Sequence, residues 1–297
     1  MNEGRARSEP PSLDEAVAAL RPRLLAHCYR LLGSATDAED VVQIAIVRAW
    51  SARDQFSGRS SLATWLFAIA TRCCLDELRG RPRRAVPAGL GVEDDTVGEP
   101  AWIEPFPTPE GAADRHESLS LAFVAVLQRL PPRQRAALVL ADVLDWSAAD
   151  IAETLDTTVP AVRSALFRAR STVAERSELG LAPPDVHALA SRLVAAWEQG
   201  DADAMAALLA ADATLSMPPE RKVVHGRDAI VAFFVGTVWP SHRWKLVPVR
   251  ANGTLAFATW VDGAAPHAVA VVHLDGEGLI ASLVAVRFPH LVDRFAP

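Results

Sequence analysis

Hydrophobic residues recur with helical spacing along most of the first 180 positions of the chain. In the segment DAEDVVQIAIVRAW, Val42, Ile46 and Trp50 follow one another at four-residue intervals, which is typical of one face of an α-helix. The segment LDEAVAALRPRLLAHCYRLLG has a similar periodicity and predicts an earlier helical unit with a break near Pro22. The segment SLATWLFAIATRCCLDELRG predicts a third helix, which ends at the glycine and proline that follow it.

A second helical stretch starts near residue 117 and predicts four more helices. The second of these starts with two prolines, whose missing N–H groups do no harm at the first helical positions. The last two, SAADIAETL and VPAVRSALFRARSTVAER, are separated by the short polar turn DTT, in which Thr157 or Thr158 can cap the following helix. The final helix has an apolar stripe that predicts its packed side, formed by Val162, Leu166, Ala169 and Val173. This pattern indicates a helix–turn–helix.

After residue 181 the pattern changes to two helices, a strand, a short helix and then several strands. The candidate strands are RWKLVPVRAN, TLAFATWVD, HAVAVVHLD and GLIASLVAVRF. The breaks Asn252-Gly253, Asp262-Gly263 and Asp275-Gly276 are typical of β-hairpin turns. Helices followed by an antiparallel sheet predict an α+β domain.

Residues 85–114 are rich in proline and glycine and have an acidic bias, which predicts a linker. Within it, Trp102, Ile103 and Phe106 of the fragment WIEPFP are too apolar for a free spacer, so we expect this segment to dock on another part of the chain. The predicted domain plan is a disordered tail (1–12), a helical domain (13–84), a linker (85–115), a helix–turn–helix domain (116–180) and an α+β domain (181–297).

The amino-acid composition excludes two classes of protein. The 297 residues are half hydrophobic and carry a net charge of −6, which excludes a uniformly basic nucleic-acid binder and a globally disordered chain. Arginines nevertheless cluster in RCCLDELRGRPRR and in RSALFRARSTVAER. We expect a cytoplasmic protein without membrane insertion, because neither a signal peptide nor a transmembrane segment is evident. The cysteines Cys28, Cys73 and Cys74 are expected to be small buried residues rather than redox or metal groups.

The face of the last helix opposite its apolar stripe has the character of a DNA reader. Short side chains near its beginning allow close approach to base edges in a major groove, and its arginines can reach guanine or phosphate. A solvated basic face on an ordinary helix pair is the alternative. The residues on this face are Thr158, Ala161, Arg163, Ser164, Phe167, Arg168 and Arg170.

Two longer segments carry a resemblance to a known family. DAEDVVQIAIVRAW followed by FSGRSSLATWLFAIATRCCLDELRGR resembles region 2 of an extracytoplasmic-function (ECF) bacterial sigma factor, and LPPRQRAALVLADVLDWSAADIAETLDTTVPAVRSALFRAR resembles region 4 of the same family. The resemblance implies that the second helix of region 2 docks on core RNA polymerase, with Asp37, Glu39, Asp40 and Gln43 as polar contacts. Helix capping by Asp37 and Glu39 is a compatible alternative.

The same resemblance implies two promoter contacts. Region 4 would read the −35 duplex through the helix–turn–helix. The loop DQFSGRSS would capture a flipped-out base of the −10 strand, although Phe56 could instead pack in the core. Its expected contacts are Phe56, Ser57, Gly58 and Arg59, and the arginines expected on the strand backbone are Arg72, Arg79, Arg81, Arg83 and Arg84.

Residues 185–297 resemble the SnoaL-like, NTF2-like fold, a curved sheet wrapped around helices that encloses a conical pocket. The candidates to line the pocket are Trp197, Met217, His225, Phe233, Trp239, Trp244, Trp260, His273 and Phe288. His273 is open to three interpretations, a structural histidine, a ligand contact or a catalytic base. We expect a regulatory module that binds its own sigma regions, a small apolar ligand, or both.

The predicted fold is therefore multidomain, with two all-α sigma domains (a region 2 helical bundle and a region 4 helix–turn–helix) and an α+β NTF2-like cone domain. The predicted function is a sigma factor that binds core RNA polymerase and promoter DNA and directs transcription initiation. No catalytic residue, metal site or cofactor is expected. The alternatives are a SnoaL-type small-molecule enzyme or ligand-binding protein with a fused DNA-binding region, and a helix–turn–helix regulator that acts without polymerase.

Overall fold

The computed structural model describes residues 12–81, 84, 102–108, 120–174 and 186–295. We call residues 12–81 the N-terminal bundle, residues 120–174 the helix–turn–helix bundle, and residues 186–295 the cone domain. Residues 1–11 of the expected tail (1–12), Arg83 and most of the expected linker lie outside the described residues.

Three helices form the N-terminal bundle, α1 Leu13–Leu32, α2 Ala35–Ser51 and α3 Leu62–Glu77. Each starts at a serine whose hydroxyl accepts a hydrogen bond from a backbone N–H in the first turn, which supplies one of the partners that helix ends lack. The break predicted near Pro22 is wrong, since α1 continues through this residue. Proline removes one hydrogen bond, but the next turns are held by Leu24 and Cys28, both buried in the bundle.

The helix–turn–helix bundle has four helices, α4 Leu121–Arg129, α5 Pro132–Leu138, α6 Ala148–Thr154 and α7 Val159–Ala174. A π-helical turn, Val139–Val143, extends α5. The predicted turn between α6 and α7 is present, and Asp156 adopts a left-handed conformation there (φ 48°). Ala161 N donates to Thr158 Oγ1 at 3.4 Å, so the capping residue is Thr158.

The cone domain consists of a six-stranded sheet with helices packed on both faces. Its helices are α8 Val186–Gln199, α9 Ala202–Ala206, α10 Arg227–Phe233, α11 Trp239–Ser241 and α12 Pro289–Val292. Its strands are β1 Leu209–Ser216, β2 Val223–His225, β3 Trp244–Ala251, β4 Thr254–Val261, β5 Ala265–Leu274 and β6 Ile280–Val286.

Strand order in the sheet is β2-β1-β6-β5-β4-β3. The prediction of a purely antiparallel sheet is wrong at one pair, because β1 and β6 run parallel. These strands are far apart in sequence, so their relative direction leaves no local signal. Asn252 and Gly253 both have positive φ (53° and 78°) and form a two-residue hairpin turn, as predicted. The β5–β6 connection is longer, and Asp275 Oδ1 accepts from the N–H groups of Glu277 and Leu279.

The three units share one hydrophobic cluster. It joins side chains of both helical bundles to those on the outer face of the sheet, such as Ala256, Val269 and Val284. The fragment Trp102–Thr108 inserts between them, with Ile103 and Phe106 buried in the same cluster. The expectation that this apolar fragment docks is confirmed. The inner face of the sheet forms a separate cluster with α8 and α10.

Candidate nucleic-acid interface and ligand cavity

Helix α7 separates a buried side from an exposed one as its sequence predicts. Val162, Leu166 and Ala169 are buried and Val173 packs against the same core. All seven residues of the expected DNA-reading face are exposed, and Phe167 is the most apolar of them, with 78% of its surface accessible. A largely exposed phenylalanine on a basic face is typical of a surface that binds a partner.

The arginines of this face differ from one another in their partners within the chain. Arg170 donates to Asp142 at 2.6 Å, and hydrogen bonding to this carboxylate raises the pKa of Arg170. Arg168 donates to the hydroxyl of Ser164, one turn earlier, at 2.6 Å. Arg170 is therefore anchored to its own bundle, while Arg163 lies nearer the beginning of α7, where a recognition helix approaches base edges.

The loop between α2 and α3 exposes most of its expected −10 contacts. Ser57, Gly58 and Arg59 are exposed, and Arg59 Nε donates to Ser57 Oγ at 3.2 Å. Gly58 has φ 70°, and nothing lies within 4 Å of where a Cβ would be, so its conformation rather than crowding requires glycine. Phe56 is half-buried with its ring centroid 5.2 Å from that of Trp65. Both alternatives for Phe56, packing and stacking on a base, remain open.

The arginines expected on the −10 strand are engaged within the chain. Arg72 Nε donates to Thr154 O at 3.0 Å, and its Nη2 approaches Glu153 O at 3.4 Å. It therefore joins α3 of the N-terminal bundle to the end of α6 in the other bundle. Arg79 lies 3.4 Å from Asp76 and remains largely exposed.

Arg81 and Arg84 converge on Asp37, at the beginning of α2. Arg81 Nη1 donates to Asp37 at 2.9 Å, and Arg84 pairs with the same carboxylate. Arg84 also donates to Leu32 O at 2.9 Å and to Trp102 O at 3.0 Å. Arg84 therefore fastens the linker fragment to the bundle. Sequence alone did not reveal this role, since its partners are backbone carbonyls distant in the chain.

The four polar residues expected on the polymerase-docking helix divide into two pairs. Asp37 is held by the two arginines, and Glu39 forms an ion pair with Arg294, from the end of the cone domain. Asp40 and Gln43 are exposed. The structure thus leaves only the second pair on an open surface of α2.

Exposed apolar side chains on α2 were not predicted. Ile44 and Val47 are 44% and 64% exposed, and Trp50, assigned to the packed stripe from its spacing, is 36% exposed. Val42 of the same stripe is buried as predicted, and the bundle buries Ala49 in place of Trp50. The signal was present in the sequence, because an α2 segment apolar on two faces exceeds what one packing side needs.

A fully buried junction joins three parts of the chain. Tyr29 Oη of α1 donates to Glu104 O of the linker fragment at 2.8 Å. Asn252, in the β3–β4 turn, donates through Nδ2 to Tyr29 Oη and accepts from Phe106 N through Oδ1, both at 2.9 Å. The rings of Tyr29 and Phe106 stack with centroids 4.5 Å apart. Burial raises the pKa of Tyr29, so its hydroxyl stays protonated and donates.

The cone domain encloses a cavity of about 330 Å³ on the inner face of its sheet. Of the predicted pocket residues, Trp197, Met217, Phe233 and Trp244 line it. Trp239 packs edge-on against Trp197, with ring centroids 6.0 Å apart.

Five of the nine predicted pocket residues, Trp239 among them, lie outside the lining of this cavity. His225 is exposed on the edge strand β2. Trp260 and Phe288 pack against the cluster on the outer face of the sheet. His273 is half-buried, with its Nε2 shielded from solvent and without a hydrogen-bond partner among the described residues, and burial lowers its pKa to about 4. A neutral histidine outside the cavity agrees with its structural interpretation.

A bulge explains why His267 lines the cavity and His273 does not. Thr259 pairs with Ala268 but Trp260 pairs with Pro266, so His267 is an extra residue in β5. Regular alternation would place both histidines on one face of the sheet, and this extra residue reverses the alternation between them. Burial lowers the pKa of His267, and the positive charges of Arg287 and His242 lower it further.

The chemistry of the lining is apolar and basic. Among the described residues that line the cavity, His242, His267 and Arg287 are basic and none is an aspartate or glutamate. No group of side chains suited to a metal ion occurs within the described ranges. Within those same ranges, no helix has the length and hydropathy needed to cross a membrane. The three cysteines are free and buried, as expected.

Comparison with known proteins assigns all three parts. The sequence matches the Sigma-70 region 2 family over residues 16–84, Sigma-70 region 4 over 120–173 and the SnoaL-like domain over 190–282. It is 40% identical to the ECF RNA polymerase sigma factor SigG of Mycobacterium tuberculosis, covering 92% of this chain and 78% of that one. It is 32% identical to the ECF sigma factor SigJ of the same organism, covering 87% of each.

A solved structure supports the same assignment. The crystal structure of Mycobacterium tuberculosis SigJ matches with a TM-score of 0.60 and 28% identity, covering 93% of this chain and 96% of that one. The multidomain fold predicted from the sequence is therefore confirmed for the helical domains and for the SnoaL-like domain.

Proposed function

The chain belongs to the ECF RNA polymerase sigma factors, and we propose that its SnoaL-like domain regulates, in cis, promoter recognition by the two helical bundles. Such a factor acts by binding, with polymerization supplied by its partner. Core RNA polymerase and promoter DNA are the partners implied by the family. The expected cytoplasmic location and the expected domain limits remain predictions.

The observation that carries the regulatory proposal is the direct contact between the two bundles through Arg72 and Thr154. The −10 and −35 elements lie about 25 base pairs apart, or ~85 Å along B-DNA. Bundles of this size have radii of roughly 14 Å, so two in contact have centres about 30 Å apart. The closed arrangement cannot span a promoter, and the bundles must separate before both elements are bound.

The cone domain is positioned to control that separation. Its Asn252 fixes the linker fragment against α1, and its Arg294 pairs with Glu39 on α2. Because the linker must move when the bundles separate, the contacts that hold the linker oppose the separation. Arg72 changes partner in this scheme, from the carbonyls of α6 in the closed state to the −10 strand in the open one.

The contacts with promoter DNA and core polymerase are assigned to exposed surfaces of the two bundles. We assign the α7 face to the −35 duplex, the loop of residues 56–59 to the −10 strand, and the α2 surface of Asp40, Gln43, Ile44 and Val47 to core polymerase. Apolar side chains beside polar ones on one exposed helix face are typical of protein interfaces.

The enzyme alternative has less support. A SnoaL-type enzyme needs a group that transfers protons. Of the two histidines in the described lining, His242 contacts a carboxylate, that of the exposed Asp262, which lies outside the lining. We propose that the cavity serves binding rather than turnover. A regulator that acts without polymerase would not need the exposed α2 surface or the −10 loop.

In vitro transcription with core polymerase tests the proposal. The full chain and its Asn252→Ala variant are compared at subsaturating concentration on a promoter selected by the full chain. We expect more transcript from the variant, since the linker is held less tightly. Equal yields and equal start sites would remove the regulatory role of the cone domain, and absence of transcript from both would contradict the assigned initiation activity.

A further inference from the structure

Flat aromatic groups form part of the lining of the cone-domain cavity. Trp197 makes edge-to-face contacts with Phe234 at 5.0 Å and with Trp244 at 5.7 Å between ring centroids. Trp244 Nε1 donates to Val238 O at 2.9 Å, which fixes the orientation of this indole. A volume of about 330 Å³ lies in the range of pockets for small organic molecules. Fixed rings around such a space favour a flat, apolar occupant.

The open part of the cavity has a different character. Thr237, Ser241 and His242 line the cavity and are exposed, which places its mouth beside them. Arg287 also lines it and is half-buried, and its charge and that of His242 act on His267. Basic groups therefore gather at one side of an otherwise apolar space.

Nearby acids only partly neutralise this side. Glu220 pairs with Arg287, and Asp262 lies 2.8 Å from His242 Nδ1. Both carboxylates belong to residues outside the cavity lining. A guanidinium has five N–H donors, so pairing with Glu220 leaves donors for a second anion.

A cationic ligand fits this cavity less well. Aromatic rings can bind an ammonium group through their faces. Here Lys222 already places its Nζ 4.5 Å from the centroid of Phe233, a lining residue. A second cation would meet this ammonium and Arg287 with no carboxylate among the described lining residues to balance it.

We propose that the cavity binds a ring-containing apolar monoanion of the carboxylate class, with its rings among Trp197 and Trp244 and its carboxylate on Arg287. Binding rests on the cavity alone, and only its effect on transcription rests on the proposed function. Nothing in this scheme requires a chemical step.

Three probes of one shape and different charge test the proposal by calorimetry on the full chain. They are 2-naphthoate (anionic), methyl 2-naphthoate (neutral) and 2-naphthylmethylammonium (cationic). We expect 2-naphthoate to bind tightest. Arg287→Gln should weaken its binding about tenfold or more, as expected for loss of a charge-assisted hydrogen bond, and leave the ester unchanged.

Two further variants separate this result from indirect effects. Arg192→Gln removes an exposed arginine of α8 outside the lining and should leave all affinities unchanged. Ala270→Phe fills the cavity and should abolish binding of both acid and ester, with circular dichroism to verify its fold. Equal affinities for acid and ester, preference for the cation, or no binding of any probe would overturn the proposal.

A transcription assay with and without saturating 2-naphthoate keeps the two proposals distinguishable. Binding that alters transcript yield supports both. Binding without such an effect supports the ligand class and contradicts its link to regulation. Failure of binding leaves the result with Asn252→Ala as the independent measure of control by the cone domain.

Discussion

Replacing Asn252 by alanine tests the junction that joins the linker fragment to both flanking domains. The side chain is fully buried and makes one hydrogen bond to Tyr29 and one to the Phe106 amide. Alanine keeps the backbone bond from the residue 252 N–H to Phe106 O, 2.9 Å long, and loses both side-chain bonds. The variant therefore removes specific contacts while leaving the hairpin in place.

The expected cost has three parts. A buried N–H of Phe106 left without a partner costs about 1–2 kcal/mol, and loss of the donor to Tyr29 costs about 1 kcal/mol. Alanine at φ 53° costs about 1 kcal/mol relative to asparagine, which tolerates this conformation. The sum, about 3–4 kcal/mol, should raise the equilibrium constant for local opening by roughly 100- to 1,000-fold.

Hydrogen exchange followed by mass spectrometry measures this opening in the full chain. The reporting amides are Glu104 N, which donates to Gly33 O, and Thr108 N, which donates to Arg250 O. Asp145→Ala is the matched control, since Asp145 is exposed and also has positive φ (58°). Asp145→Ala should lower the free energy of unfolding only by the backbone strain of alanine at positive φ. It should leave hydrogen exchange in residues 102–108 unchanged.

A glycine variant at the same position separates the cost of backbone strain from the cost of the lost hydrogen bonds. Asn252→Gly relieves the strain but not the lost bonds, so we expect its effect to be about fivefold smaller than that of alanine. Exchange in residues 102–108 that changes less than about tenfold in the alanine variant would refute the role of the junction. An effect in the alanine variant that glycine abolishes would assign the whole cost to strain.

Three other outcomes follow from the surfaces and from His273. Val47→Asp should abolish association with core polymerase in gel filtration, while Val235→Asp, at an exposed valine of the cone domain, should not. Arg163→Ala should weaken binding of the −35 duplex by about 1–3 kcal/mol and weaken binding of a scrambled duplex less, measured by fluorescence anisotropy at fixed salt. His273 has a folded-state pKa of about 4 against about 6.5 unfolded, so its contribution is fully present above pH 6.5 and is lost as pH falls towards 4. In denaturant titrations, His273→Leu should remove about 3 kcal/mol of that acid sensitivity, and an unchanged pH profile would contradict the assignment.

The spacing of apolar residues and the residues of the turns predicted those features of the fold that depend on residues close together in the sequence. The buried side of α7 was read from spacing because residues such as Val162 and Leu166 must face one core. The turn at Asn252-Gly253 was read from its residues because they tolerate positive φ. The exposed face of α7 followed from the same helix geometry.

Long-range contacts explain most of what could not be predicted. Tyr29 and Asn252 are 223 positions apart, and nothing near either residue indicates the other. Arg72 and Arg84 were assigned to DNA because exposed arginines are common there, yet backbone carbonyls elsewhere in the chain accept from them. The bulge at His267 was missed because one extra residue shifts the alternation without changing composition.

Helix α2 receives contacts from both the linker fragment and the cone domain. Glu104 of the linker accepts from the Thr36 N–H and hydroxyl, both at 3.1 Å, and Arg294 of the cone domain pairs with Glu39 one turn away. The surface assigned to core polymerase starts one residue later, at Asp40. Two ligands that share one helix affect each other's binding equally in both directions. Polymerase binding that disturbs Glu39 must therefore weaken the ion pair between Glu39 and Arg294. The ion pair weakens polymerase binding by the same coupling free energy. On this argument the core enzyme itself contributes to opening the chain, and removal of Arg294 should lower the concentration of core enzyme needed for transcription.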